Sequence, residues 1–486
     1  MILFPRNQYR NYRGESLMTK DKAKEPGLPK EILTAAWAIA LGAIAPMLDS
    51  TMVNIAIDQL TKDFNTTLDT IQWAITGYVL ALAIAVPVSG WLMNKFNGKK
   101  IFIGAVIAFG IISFFVGISW DISTFIFFRL LQGFSAGIIA TLMSTLLVKT
   151  AGPENLGKVM AIVSTPMILG PILGPVIGGF IVHGASWHWI FFINVFIVLI
   201  VAPLMMKTIP DFKPFNKDSK LDIFGIIDLS LMSAALIYGI TKAADHASFN
   251  NSETILWVGI GLVLAIIYLV YNRIRKNQTV LPMNLFAHKS FSASSIGLFL
   301  ANIAIMGPML ILPLFFQNFR HFTAIEAALA LIPQGIGMLA TRPMIGKMID
   351  KIGAKYVVMV SLALSLIGSI PLIFITDKTS MIWISIVLFI RGASFGGINL
   401  PLMSDAYTGL DSKQLPEAGI GINIIENLGS SFGSAVIATV VATFVQGSQP
   451  TIANGLKGYH AGFLVSAIVL AIIFIPSLFL THKKAK

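Results

Sequence analysis

Fourteen stretches of this chain are each long and apolar enough to demand a hydrocarbon environment. They begin near Ile32, Ile71, Lys100, Ile122, Lys158, Trp187, Leu221, Glu253, Ser290, Ile325, Lys355, Ser380, Ala418 and Tyr459. Crossing ~30 Å of hydrocarbon takes about 20 helical residues. The runs are too long and too uniformly apolar for the alternating strands of a barrel, so helix is the element expected throughout. Composition agrees: of 486 residues, 55% are hydrophobic and 12% charged, and the mean hydropathy is +0.79, outside the range of soluble domains. The expectation is an all-α integral membrane protein of 14 transmembrane helices.

The net charge of +12 reads as membrane topology rather than nucleic-acid binding. With the N-terminus in the cytoplasm, 27 of the 35 lysines and arginines fall on inner segments and five (Lys62, Lys242, Arg320, Lys378 and Lys457) on outer ones. Arg129, Arg342 and Arg391 lie within spans. That asymmetry follows the positive-inside rule and places both termini in the cytoplasm. The segment before Ile32 is polar and lysine-rich, without the pattern of a cleavable signal peptide. "MTKDKAKEPGLPKEI" from Met18 reads as an ordinary cytoplasmic start, and residues 1–17 as a patternless tail or as lying before the true start.

The chain also repeats itself. "GWLMNKFNGKKIFIG" from Gly90 is echoed by "GKMIDKIGAKYVVMV" from Gly346, and "GFSAGIIATLMS" from Gly133 by "ASFGGINLPLMS" from Ala393, at offsets of 256 and 260 residues. The organisation expected is a tail (1–31), an N-terminal six-helix half (32–207), two inserted helices (221–274), a C-terminal six-helix half (290–480) and a short cytoplasmic tail (481–486). Halves repeated in this way place a substrate site near the bilayer midplane on their pseudo-two-fold axis.

Several function classes drop out. "GPENLGK" (152–158) resembles a phosphate loop, yet Val159 stands where Ser or Thr must hold magnesium, Pro153 lacks an amide and no strand precedes it. Without a nucleotide site, pumping must draw on an ion gradient. Cysteine is absent, and no His/Asp/Glu spacing suggests a metal. Neither an enzyme nor a cofactor is expected.

"GWLMNKFNGKK" after span two, "RLLQGFSAG" in span four, "GPILGPVIGG" in span five, then "WHWIFFINV", and "LDSTMVNIA" in span one together resemble the fourteen-span drug:proton antiporters of the major facilitator superfamily, the EmrB/QacA group. The resemblance covers nearly the whole chain. It implies a major facilitator fold, alternating access, export of lipophilic and often cationic compounds, protons as the driving partner, and a bacterial plasma membrane. Four positions depart from the family pattern. Asn94 and Asn97 replace the usual Asp and Gly of the loop motif, whereas Asp350 and Gly353 keep both in the second half. His188 replaces an Arg, and Asp58 a Pro.

The residues themselves carry a physical argument. Asp49 lies eight residues before Ile57, about 12 Å below the outer end of span one, and Arg129 lies about 10 Å below that of span four. Intramembrane charge is costly and marks function by default. In the fold the resemblance implies, spans one and four line the cavity, so the two can pair. Desolvation raises a carboxyl's proton affinity and a nearby cation lowers it, which can couple proton release to substrate entry. A permanent ion pair fixing helix packing is the other reading.

Glu426, about 12 Å into span thirteen, is the second acidic candidate, with a polar contact to Asn423 or Asn427 as its alternative. Asp228 in span seven reads as a packing residue; Asp405 is left without a role. Trp73 and Tyr78 offer faces for cation–π contact with a substrate. Gly170, Gly174 and Gly178 form a stripe for close helix approach, continued by Gly179. Pro171 and Pro175 add bends, and the resemblance makes this segment the antiporter hinge. Gly90, Asn94, Lys95, Lys99 and Asp350 form the expected gating loops, which topology alone would also explain. The reading is a proton-coupled exporter, a monomer in the lipid bilayer. An exporter of one endogenous metabolite, peptide or lipid, and a non-transporting sensor, are the alternatives.

Overall fold

The computed structural model describes residues 28–482 apart from 153–154, 156–157, 160–169, 171–172, 175–176, 183, 216–220 and 447–451. The side chains of residues 54, 58, 68, 69, 72, 324, 325, 328, 445, 446 and 452–454 are also outside the description. Pro171, Pro175, His183 and the Asp58 side chain therefore lie outside the described residues. All regular structure among the described residues is helical.

The first run is divided at Ala43 into α1 (Lys30–Gly42) and α2 (Ile44–Asp63). There follow α3 (Leu68–Lys95), α4 (Gly98–Gly117), α5 (Ile122–Ala151), α6 (His188–Thr208), α7 (Ile223–Asp245), α8 (Ser252–Ile274) and α9 (Lys289–Arg320). The run from Ile325 is broken into α10 (Ala324–Ala330) and α11 (Ile332–Ile352). The break falls just before Pro333, whose ring crowds the preceding turn and which has no amide to continue it. The chain ends with α12 (Ala354–Ser369), α13 (Met381–Ala406), α14 (Leu415–Gln446), α15 (Ile452–Ile472) and α16 (Phe474–Ser477).

Twelve spans among the described residues are long and apolar enough to cross a membrane. Of the other two runs, that from Lys158 falls largely outside the description. The 21-residue helix α11 carries Arg342, Lys347, Asp350 and Lys351.

Loop residues start several helices by accepting from the first free amides. Asn97 accepts from Lys100 N at 3.3 Å, Asp121 from Thr124 N at 2.8 Å, Asp222 from Gly225 N at 3.0 Å and Asn251 from Thr254 N at 2.8 Å. Asn97, one of the departures in the loop motif, is thus the cap of α4. The same short-range bonds hold the Asp121 carboxyl below the usual carboxylate range.

The repeat is visible in the packing. A Cβ on Gly133 would lie 2.2 Å from Tyr78 O, and one on Gly392 would lie 1.9 Å from Gln334 O. Each missing side chain lets α5 close on α3 and α13 on α11 at the same place. Gly133 therefore corresponds to Gly392, one residue from the sequence echo at Ala393. In the same way Gly170 faces Met47 O and Gly174 faces Thr51, while Gly429 faces Phe299 O and Gly433 faces Ile303. The helical residues near 170–180 match α14, and α2 matches α9.

Contacts between the halves run along α14. Near its start a Cβ on Gly419 would meet Thr145 Oγ1 of α5 at 2.5 Å, and the Ile420 side chain fills the space beside Gly90 of α3. Near its end Thr439 Oγ1 donates to Ala243 O of α7 at 3.3 Å. On its other side α7 is tied to α3, where Ser230 Oγ donates to Ile84 O at 3.2 Å. The partner of α7, helix α8, exposes Ile255, Leu256, Leu262, Val263, Ile266, Leu269 and Val270 along its length, a surface suited to lipid.

Candidate functional site

The densest buried polar cluster joins α2, α3, α4, α5 and α6. Asp49, fully buried on α2, forms an ion pair with Arg129 Nη1 of α5, which is 1% exposed. The same carboxylate accepts from Gln132 Nε2 at 3.2 Å and from Asn194 Nδ2 of α6 at 2.9 Å. Gln132 passes its second amide hydrogen to Ser113 Oγ of α4 at 2.7 Å, and Ser113 in turn donates to Phe109 O. Arg129 also reaches α3: Nε donates to Ala74 O at 3.3 Å, and the guanidinium lies 4.2 Å from the centre of the Tyr78 ring. Tyr78 OH donates to Pro46 O at 3.5 Å.

Two features of this arrangement bear on chemistry. Removing one partner of a buried pair leaves an uncompensated charge, at about 3–5 kcal/mol. Here Arg129 also has Gln132 Oε1, Ala74 O and the Tyr78 face to hold it, so neutralising Asp49 by a proton leaves the guanidinium hydrogen-bonded, though without a counter-charge. Asn194 Oδ1, beside the carboxylate, is buried without a hydrogen-bond partner. An amide can present either its NH2 to a carboxylate or its oxygen to a carboxylic acid, so Asn194 suits both states of Asp49.

The pair anticipated from helical depth is thus made. Tyr78 is buried against Arg129 rather than presenting an open face, because the guanidinium lies over its ring while Gly133 abuts its backbone. Trp73 is 46% exposed and stacks on Tyr238 of α7. Gly170, Gly174 and Gly178 all face α2: a Cβ on Gly174 would lie 1.8 Å from Thr51 Oγ1, and Thr51 Oγ1 donates to Gly170 O at 3.1 Å. The stripe therefore seats the helix turn that carries Asp49. Gly179 points away, with nothing within 4 Å of a Cβ there.

Glu426 is half-buried on α14, in the other half of the molecule and within electrostatic reach of Tyr407. Asn423 gives its amide to Gly419 O at 2.8 Å rather than to Glu426. At the loops, Gly90 meets Ile420, and Asn94 Oδ1 is buried without a hydrogen-bond partner. Lys95 and Asp350 both interact with neighbours, while Lys99 lies in the first turn of α4. Asp405 accepts from Thr481 Oγ1, and Asp228 is buried with Oδ2 unpaired. His188 stacks on Trp187, whose Nε1 donates to Asp63 Oδ2 at 2.8 Å.

Gln132, Asn194 and Ser113 were not singled out from the sequence. The available signal was position: Gln132 stands three residues after Arg129 on the same helix face, and Asn194 is polar within an apolar run. An open groove of about 480 Å³ between α11 and α13, lined by Ile336, Ile382, Ile386 and Phe389, is apolar and remote from this chemistry.

Comparison with known proteins fixes the family. Residues 39–434 match the Major Facilitator Superfamily. The chain belongs to that superfamily. It is therefore a multi-pass membrane transporter and not an enzyme. It is 28% identical over 429 residues to a "Multidrug resistance protein B homolog" of Mycobacterium tuberculosis, covering 88% of this chain and 79% of the relative. It is also 28% identical over 407 residues to the "Multidrug export protein EmrB" of Escherichia coli K12, covering 83% and 79%. Among solved structures, the proton:xylose symporter XylE superposes with a TM-score of 0.61 at 14% identity, over 94% of this chain and 97% of that one. The human organic anion transporter MFSD10 does so with 0.59 at 14%, over 91% and 100%. At that identity the two structures speak to the fold alone.

Proposed function

We propose that this protein is a proton-coupled antiporter that exports lipophilic, often cationic, toxic compounds by alternating access. The observation that carries the reading is the buried Asp49–Arg129 pair, a carboxylate at membrane depth whose cation has other partners to fall back on. The multidrug-export names of its relatives support the substrate class. Asp49 carries the proton, and Arg129 modulates its affinity. Glu426 is the second acid, facing the cavity between the halves. The glycine stripe from Gly170 to Gly178, with Pro171 and Pro175, flexes against α2, while Gly90, Asn94, Lys95, Lys99 and Asp350 form the gating loops. Fourteen spans, as two six-helix halves (32–207 and 290–480) flanking an inserted pair (221–274), lie in a bacterial plasma membrane. Both termini are cytoplasmic and the transporter acts as a monomer.

In this cycle a proton reaching Asp49 from the outer side neutralises the carboxylate and loosens the pair. Reorientation toward the cytoplasm, loss of the proton and binding of substrate restore the charge. The experiment is dye transport in inverted membrane vesicles, with Asp49→Asn compared with wild type. The expected result is loss of transport driven by a pH gradient from a protein that still purifies folded. Wild-type transport by that variant would remove Asp49 from the mechanism.

A further inference from the structure

We infer that Arg391, buried in the C-terminal half, holds a small monovalent inorganic anion of the chloride class. Arg391 on α13 is fully buried. Its Nε donates to Ser369 Oγ of α12 at 3.2 Å, and its Nη2 donates to Ala304 O of α9 at 3.4 Å. Its plane lies over Phe395, 4.6 Å from the ring centre. Nη1 is buried with no hydrogen-bond partner. An isolated guanidinium at membrane depth carries a large desolvation cost that carbonyls and hydroxyls reduce but do not neutralise.

Among the described residues, no carboxylate pairs with Arg391. The helices whose groups meet Arg391 or its partners are α9, α12 and, through Ser466 on Ala304 O, α15, and none contains an Asp or Glu. On α13 itself the one acid is Asp405, fourteen residues on, about 21 Å along the axis and engaged with Thr481. On α11, Asp350 is sixteen residues beyond the level of Gln334, where that helix meets Gly392, about 24 Å away along the axis.

The repeat gives the unbalanced charge its place in the fold. Since Gly133 corresponds to Gly392, Arg391 occupies the position of Gln132. Gln132 donates to Ser113 as Arg391 donates to Ser369. Since Met47 and Thr51 correspond to Phe299 and Ile303, Asp49 corresponds to Ala301. The C-terminal half thus has a cation where its twin has an amide, and a methyl group where its twin has the carboxylate. Hydroxyls complete a donor set: Ser365 Oγ, one turn from Ser369, is buried without a partner. Unpaired donors from Arg391 and Ser365, with the Phe395 ring on the guanidinium face, suit a compact anion rather than an organic one.

The test uses the purified full-length protein in detergent, its melting followed as sodium chloride replaces sodium gluconate at constant ionic strength. The expected result is a saturable rise in melting temperature that bromide reproduces. It should be absent from Arg391→Gln. It should also be absent from Ala301→Asp, which should melt as high in gluconate as wild type does in chloride. Equal melting of the wild type in chloride and gluconate would overturn the inference, as would a chloride dependence retained by Ala301→Asp. The second variant carries the test where Arg391→Gln does not fold.

Discussion

The two halves solve the same problem of a buried guanidinium differently. In the N-terminal half Arg129 faces Asp49, and both are embedded in a network with Gln132, Asn194 and Ser113, so that the cluster is neutral and nearly saturated with hydrogen bonds. In the C-terminal half Arg391 meets a serine, a carbonyl and an aromatic ring, and one nitrogen is left over. A pair can change its charge by taking up a proton on its carboxylate, whereas Arg391 has no carboxylate beside it to protonate. Under the proposed cycle proton uptake falls to the first half, while the second carries Glu426 on α14.

That contrast can be broken most directly by truncating each cation. Arg129→Leu leaves Asp49 buried and unpaired, and its expected cost is about 3–5 kcal/mol, read as a large fall in melting temperature or loss of folded protein. Arg391→Met removes a charge that no carboxylate balances. In halide-free buffer it should change stability by less than ~1 kcal/mol or raise it, since a buried charge exchanged for an apolar group of similar volume is often neutral or stabilising. Similar large losses in both variants would erase the distinction.

A second, smaller effect concerns the fit between the stripe and α2. Gly174→Val drives a side chain into Thr51 and should cost about 1–3 kcal/mol together with transport. Gly179→Ala meets open space and should leave both unchanged. Transport surviving Gly174→Val would separate the stripe from the cycle. A change confined to substrate preference is expected at Glu426, where Glu426→Gln should weaken dications more than neutral compounds in a dye-competition assay. Equal loss for both would assign the side chain to packing. The smallest effect is at the start of α5: Asp121→Ala removes a cap and should lower the melting temperature slightly. Because the folded state holds this carboxyl below its usual range, the difference from wild type should be present near neutral pH and vanish as the pH falls through that lowered value.

Much of this was legible in the sequence because it depends on one dimension. Helical rise put Asp49 and Arg129 at one depth, and the glycine spacing announced a close approach. What the sequence could not give was azimuth and partner. Tyr78 sits one helix away from Arg129, and only the packing of α3 on α5 turns its ring beneath the guanidinium. Asn194 looked like one polar residue among many, because its meaning depends on α6 delivering it to α2. The equivalence of Arg391 with Gln132 was hidden for a related reason. The echo in letters runs one residue out of step with the contacts, which are set by where a missing Cβ lets backbones touch.

The hydroxyl links on either side of α7 bear on how such a bundle can move. Ser230 ties that helix to α3 of one half and Thr439 of α14 ties it to the other, so the inserted hairpin straddles the seam. Any rocking of the halves has to release one link or drag the hairpin along with whichever half keeps its grip. The hairpin is thus linked to both sides of the seam through two single hydroxyls, while α8 turns its apolar face outward.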